Sequence, residues 1–152
     1  MKAFLGTSVL VAAFYGEHQH HGPSFALFVR QKKPTACTAA HCLVEVYSVL
    51  TGMPGKDKAS PDEALHFLRG DVRDRLTLIT LDAAEYVKTI EGAAGAGISG
   101  GAIYDAIIGR CAVNAKAKTI YTWNVRHFIR LGAEVASRVR TPTAGGDESA
   151  IY

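Results

Sequence analysis

Two acids on helical stretches, Glu45 and Asp105, have the placement that chemistry in a cleft requires. Glu45 lies at the margin of the apolar stripe of Ala39, Cys42, Leu43, Val46, Val49 and Leu50, about 40° from Val49 at roughly 100° per residue. Asp105 sits one turn into its own helix and flanks a stripe of Tyr104, Ile108 and Cys111. Neither acid is at a stripe centre or on the outermost face, so each can reach into a cleft. Gathered in one place, such carboxylates repel one another until a cation neutralises them. Taken singly, each acid has a plainer account as a solvated or salt-bridged helix residue, and Asn124, which follows a strand, as a turn residue or cap.

The elements that must position these residues can be read from periodicity and punctuation. Lys2 to Leu5 predicts a buried strand ended by Gly6, with Thr7 or Ser8 capping a helix to about Phe14. After a polar loop, His20 to Arg30 predicts a second helix and Thr35 to Cys37 a second strand, with Thr38 as the cap of the helix Ala39 to Leu50. Ser60-Pro61-Asp62-Glu63 is a helix start, with serine at the cap, proline in the first turn and glutamate three residues after the cap. Leu76 to Leu81 reads as a third strand, followed by a helix that begins at Thr80 or Asp82 and runs to about Ala94. Gly92 to Gly101 reads as a flexible connection, Ile103 to about Lys118 as a helix and Thr119 to Thr122 as a strand. A short helix over Val125 to Leu131 and an edge strand near Glu134 to Val139 complete the pattern, and the segment from Thr141 has linker composition.

Strands alternating with helical stretches mean crossovers and an α/β fold: a three-layer α/β/α arrangement around a mainly parallel sheet. The 152 residues amount to one domain, expected over residues 1–140, with residues 141–152 as a loose tail. In a parallel open sheet, ligands bind beyond the carboxyl ends of the strands. Gly6-Thr7-Ser8 and Asn124 both satisfy that rule.

The four blocks Phe4-Leu5-Gly6-Thr7-Ser8-Val9-Leu10-Val11, Leu43-Val44-Glu45-Val46-Tyr47-Ser48-Val49-Leu50-Thr51, Ile103-Tyr104-Asp105-Ala106-Ile107-Ile108 and Tyr121-Thr122-Trp123-Asn124-Val125-Arg126-His127-Phe128 resemble the signature blocks of PIN domains. No single block is specific, but the four in order span about residues 2 to 139. The resemblance implies a metal-dependent ribonuclease fold, and at this size a VapC-like toxin of a VapBC pair. It further implies RNA as substrate, magnesium or manganese as cofactor, a VapB-like antitoxin as partner, and a homodimer.

By that resemblance Glu45 and Asp105 match metal-binding acids, Asn124 matches the fourth acidic position, and Ser8 matches a supporting hydroxyl. The first block carries an aspartate in the family where this sequence has Gly6, so hydrolysis is expected to be impaired or lost. The gap is either an inactivating change in a toxic protein or a natural degenerate copy, although a glycine at a strand–helix turn is also comfortable because it can take φ > 0. A non-catalytic module that holds RNA or antitoxin is the alternative. An aspartyl-phosphate phosphatase or receiver domain would need the acid after the first strand that Gly6 denies.

Arg126 and His127 stand close to the expected cleft mouth and could contact phosphate without reading bases. Trp123 could be a stacking platform or core. His18, His20 and His21 read as solvated, Asp82 as a cap, and the groups Arg30, Lys32, Lys33 and Lys56, Lys58 as solvated helix ends. The net charge of +3 is compatible with a polyanionic partner and no more. Cys37, Cys42 and Cys111 have no CxxC spacing and read as reduced core thiols. Val9 to Phe14 is too short to span a bilayer, so a soluble cytoplasmic protein is expected.

Overall fold

Strand β1 (Ala3–Leu5) is buried along its whole length, as is β2 (Ala36–Ala39). That is the signature of a parallel sheet covered on both faces. The computed structural model describes residues 1–143. Its other strands are β3 (Thr77–Ile79), β4 (Thr119–Tyr121) and β5 (Val139–Arg140). They pair in the order β3-β2-β1-β4-β5, and every pairing is parallel.

Helices cover both faces. After β1 come α1 (Thr7–Phe14) and α2 (His21–Val29), and after β2 comes α3 (Ala40–Gly52). Next, α4 (Pro61–His66) runs through one π-helical turn, Phe67–Val72, into α5 (Arg73–Arg75). The remaining helices are α6 (Ala83–Gly95), α7 (Ala102–Asn114), α8 (Val125–Ile129) and α9 (Ala133–Ala136). Alternate residues of β1 feed opposite cores, as the two-residue period of a strand requires. Ala3 and Leu5 pack with Val9, Leu10, Val46 and Leu50, whereas Phe4 packs with Cys42, Ile108, Cys111 and Ile120. The three-layer α/β/α arrangement follows directly.

Several expectations need correction. Thr38 is not a helix cap: it lies in β2, where its hydroxyl donates to the Leu5 carbonyl at 2.7 Å and stitches two strands. Residues 92–101 are not a flexible connection throughout, because α6 continues to Gly95 and buries Ala93. The reversal comes only at Gly97 and Gly100, whose φ values of 74° and 61° suit a residue without Cβ. The helix expected to reach Lys118 ends at Asn114, and the edge strand expected over Glu134 to Val139 is a short helix followed by a two-residue strand. The third strand is shorter than Leu76 to Leu81, and the Thr119 strand stops before Thr122. Two caps are as expected: Ser60 and Asp82 each form a capping box, with Glu63 and Glu85 respectively. Of the expected tail, residues 144–152 lie outside the described residues.

Candidate active site

The sheet order reverses at β1 and β4, which are neighbours although their sequence positions are distant. A crevice opens beyond the carboxyl ends of such a pair. Gly6 leaves β1 into this crevice, and Thr122, Trp123 and Asn124 leave β4 into it. The Gly6 amide donates to the Tyr121 carbonyl at 2.9 Å, tying the two exits together.

Gly6 is the N-cap of α1 with φ −80° and ψ 170°, an extended conformation open to any residue. The φ > 0 account of this glycine therefore fails. What constrains the position is space: a Cβ here would lie 3.2 Å from the Tyr121 carbonyl oxygen. A side chain requires the neighbouring strand exit to give by a few tenths of an ångström.

Thr7 and Ser8 do not cap α1 either, because their hydroxyls are turned to the crevice. Thr7 Oγ1 donates to Glu45 Oε1 at 2.6 Å. Ser8 Oγ accepts from the Trp123 amide at 2.8 Å and shares a 3.2 Å hydrogen bond with Thr122 Oγ1. Thr122 Oγ1 in turn accepts from the Asn124 amide at 3.0 Å. This chain of hydroxyls fixes the turn on which Asn124 stands, while the Asn124 side chain makes no capping bond and is exposed.

The two acids meet. Glu45 on α3 and Asp105 on α7 line one cavity of about 540 Å³, together with Thr7, Ser8, Thr122 and Asn124. Their side chains are 28% and 19% exposed, the half-sunk position that the stripe borders implied. Each faces a histidine: His41 Nε2 is 3.7 Å from Glu45 Oε2, and His127 Nδ1 is 3.9 Å from Asp105 Oδ2. Burial pushes the Asp105 carboxyl above its ordinary pKa. His127 and Arg130 draw it back, and the negative charge of Glu45 adds to the rise.

Of the residues singled out from the sequence, the fold brings Ser8, Glu45, Asp105 and Asn124 to one cavity and sets His127 facing Asp105. Arg126 is exposed and does not line the cavity. Thr7, His41 and Thr122 were missed as site residues. His41 had a signal, since it precedes Glu45 by one helical turn. Thr7 had one in the Gly6-Thr7-Ser8 turn after the first strand, but its bond to Glu45 and the place of Thr122 had none, because their partners depend on the sheet order. Trp123 stands aside from the cavity: it packs on the core, its ring stacks on His20 at 3.8 Å, and its Nε1 donates to Ser24 Oγ at 2.8 Å. Asp82 acts as a cap, and His21 Nδ1 lies 2.9 Å from the Ala12 carbonyl, so neither belongs to the crevice.

The donor set decides what ion would suit it. It consists of two carboxylates, hydroxyls and a carboxamide, and no cluster of three His, Cys, Asp or Glu forms among the described residues. Zinc prefers nitrogen and sulfur ligands in a closed tetrahedron. A magnesium-like ion keeps several waters and takes one or two carboxylates, and the residues present fit that demand.

Comparison with known proteins agrees with the fold. The family model for the PIN domain matches residues 3–134. Ribonuclease VapC40 of Mycobacterium tuberculosis is 36% identical over 114 residues, 75% of this chain and 81% of that protein. The fold is similar to the crystal structure of M. tuberculosis VapC20, described as a sarcin–ricin loop cleaving toxin. The TM-score is 0.65 at 19% identity, over 88% of this chain and 98% of that one. It is also similar to VapBC2 from Rickettsia felis bound to a fragment of promoter DNA, with a TM-score of 0.61 at 21% identity over 93% and 98% of the two chains. FitAcB from Neisseria gonorrhoeae gives 0.62 at 17% identity, over 92% and 97%.

Proposed function

This chain belongs to the PIN-domain family, and on that premise we propose that it is a VapC-like endoribonuclease toxin whose hydrolytic site is impaired at Gly6. The observation that carries the reading is the convergence of Glu45 and Asp105, from α3 and α7, on one cavity at the β1/β4 crevice. Glu45 and Asp105, with the Asn124 carboxamide oxygen, would hold magnesium or manganese. When bound, such an ion polarises a phosphate oxygen and lowers the pKa of an attacking water. Thr7 orients Glu45, and Ser8 with Thr122 holds the turn that presents Asn124. His127 sits on the solvent side of Asp105, where it could meet a phosphate, and Arg126 on the same short helix would add positive charge near the mouth.

With Gly6 the strand-end carboxylate is missing, so the cation would be held weakly and hydrolysis impaired. RNA is the proposed substrate, and a VapB-like antitoxin the proposed partner, supported by the similarity to VapBC2 and FitAcB. A homodimer and a cytoplasmic location complete the reading, with the nuclease domain over residues 1–140. No helix among the described residues is long and apolar enough to cross a membrane.

Gly6→Asp tests this. It should gain manganese-dependent cleavage of structured RNA and lose it again with Glu45→Ala or Asp105→Ala, while Gly6→Ala, which meets the same Tyr121 carbonyl, should gain nothing. The missing acid also favours a second reading, a non-catalytic PIN-fold module for RNA or antitoxin. That reading wins if Gly6→Asp cuts nothing while still binding RNA or antitoxin tightly.

A further inference from the structure

Tyr104 departs from the apolar stripe to which its spacing assigns it. Ile108 and Cys111 of that stripe are buried, but Tyr104 is 51% exposed. Its ring lies on the imidazole of His41, with centroids 5.2 Å apart and planes within 16° of parallel. Both rings line the cavity that holds the acids. Each is carried on the same helix as a carboxylate: Tyr104 immediately precedes Asp105, and His41 precedes Glu45 by one turn. The stacked pair is therefore fixed in position relative to both acids.

The contrast with Trp123 is informative. It too precedes a site residue, Asn124, and it too stacks on a histidine, His20. Trp123 is spent on structure, because its Nε1 is tied to the buried Ser24 hydroxyl and its ring packs on the core. Tyr104 faces the cavity instead, beside Val44 and Val49, which are also exposed. A flat π surface backed by a second ring and bordered by apolar side chains suits a flat heterocycle. Unpaired RNA bases are recognised by stacking on such rings, whereas bases within a duplex are already stacked.

We infer that the Tyr104–His41 stack is a platform for one unpaired nucleobase beside the place where a cation held by Glu45 and Asp105 would meet the phosphate. This rests on the nuclease reading and extends it: Tyr104 positions the substrate and selects for unpaired segments, the loops of a structured RNA included. Because every base has a π face, the platform orders the strand without reading its sequence.

The chain as it stands is suited to the test, since impaired hydrolysis lets binding be read without turnover. Fluorescence anisotropy would compare a short single-stranded RNA of mixed sequence, the same strand in a duplex, and an abasic strand of equal length. Tyr104→Ala should weaken binding of the mixed single strand by about five- to a hundredfold, and Tyr104→Phe should stay within about twofold of the wild type. The abasic strand should bind wild type and Tyr104→Ala alike. Equal binding of the mixed strand by both overturns the platform, as does an equal loss on the abasic strand, which would report damage to the fold or to phosphate contacts. A Tyr104→Ala protein that keeps RNA binding but changes mass in light scattering overturns it as well, since the ring would then face a second copy of the chain. If the wild type binds no single strand, the platform falls. The nuclease reading is decided separately, by whether Gly6→Asp cleaves RNA.

Discussion

Thr7 Oγ1 donates a 2.6 Å hydrogen bond to Glu45 Oε1, joining the first residue of α1 to the middle of α3. A hydrogen bond to an ionised acceptor is among the stronger kinds. It occupies one carboxylate oxygen, while the other lies toward His41. The Glu45 rotamer is thus set by a residue next to Gly6, and the position of the missing acid and the placement of a present one are coupled through a single turn.

Removing that hydroxyl should loosen Glu45 without removing its charge. In the Gly6→Asp background, Thr7→Val is expected to lower manganese affinity or cleavage rate by about ten- to a hundredfold, the usual cost of losing a group that orients a ligand. Thr7→Ser, which keeps the donor, should stay close to the parent. Manganese titrations of the cleavage rate separate the two variants, and equal rates for Thr7→Val and the parent would show that Glu45 needs no such support.

Ser8 makes a different prediction, because its partners are structural. Ser8→Ala leaves the Trp123 amide without its acceptor and Thr122 Oγ1 without its neighbour. The expected loss is about 1–3 kcal/mol of folding stability, the cost of an unsatisfied group in a partly buried place. Urea unfolding monitored by Trp123 fluorescence measures it, and an unchanged midpoint would mean that water replaces the hydroxyl.

The same two residues mark how far the sequence could be read. Apolar periodicity and caps located the strands and helices well, because those signals are local: the Ser60 and Asp82 capping boxes stand where the residue types put them. Glu45 and Asp105 were legible because a stripe border is also a local property. Thr7, Ser8 and Thr38 were misread as caps because their true partners, Glu45, Thr122 and the Leu5 carbonyl, come close only when β2 and β4 flank β1. No local signal encodes that order. Tyr104 was misread for a related reason: helical spacing says which face a residue shares, but the end of a stripe can run out of the core into a cavity.

The cysteines offer a check on the core itself. Burial pushes the Cys37 thiol up to about 12 and the Cys111 thiol up to about 11, and it raises Cys42 as well. The thiolate is the reactive form, so these groups should be inert while the protein is folded. A chromogenic disulfide reagent at mildly alkaline pH should label none of the three promptly in the native protein and all three after denaturation. Prompt labelling of any one would place it nearer the surface than the packing around β1, β2 and α7 allows.

Asp105 gives the pH prediction, and its sign is opposite to that of most surface acids. Its folded pKa is raised, chiefly by burial, above the value of about 3.9 expected in the unfolded chain. The fold therefore favours the protonated form. The stabilising contribution is complete below the unfolded value and is lost as pH rises through the folded one. Once ionised, the carboxylate is held against its desolvation and the repulsion of Glu45, with His127 and Arg130 offsetting part of the cost. Asp105→Asn removes the charge while keeping the shape. It should melt at a higher temperature than the wild type at pH 7 and at the same temperature near pH 3, with the gap opening as pH climbs through the folded value. A gap that is constant across this range would trace the effect to packing rather than charge. Manganese supplies a complementary test, because a cation that binds the folded state raises its melting temperature by an amount that grows with the logarithm of its concentration over the dissociation constant. The wild type should therefore gain melting temperature from manganese at pH 7, Gly6→Asp should gain more, and Asp105→Asn should gain little. A gain as large in Asp105→Asn as in the wild type would mean that the ion is held somewhere other than this pair of acids.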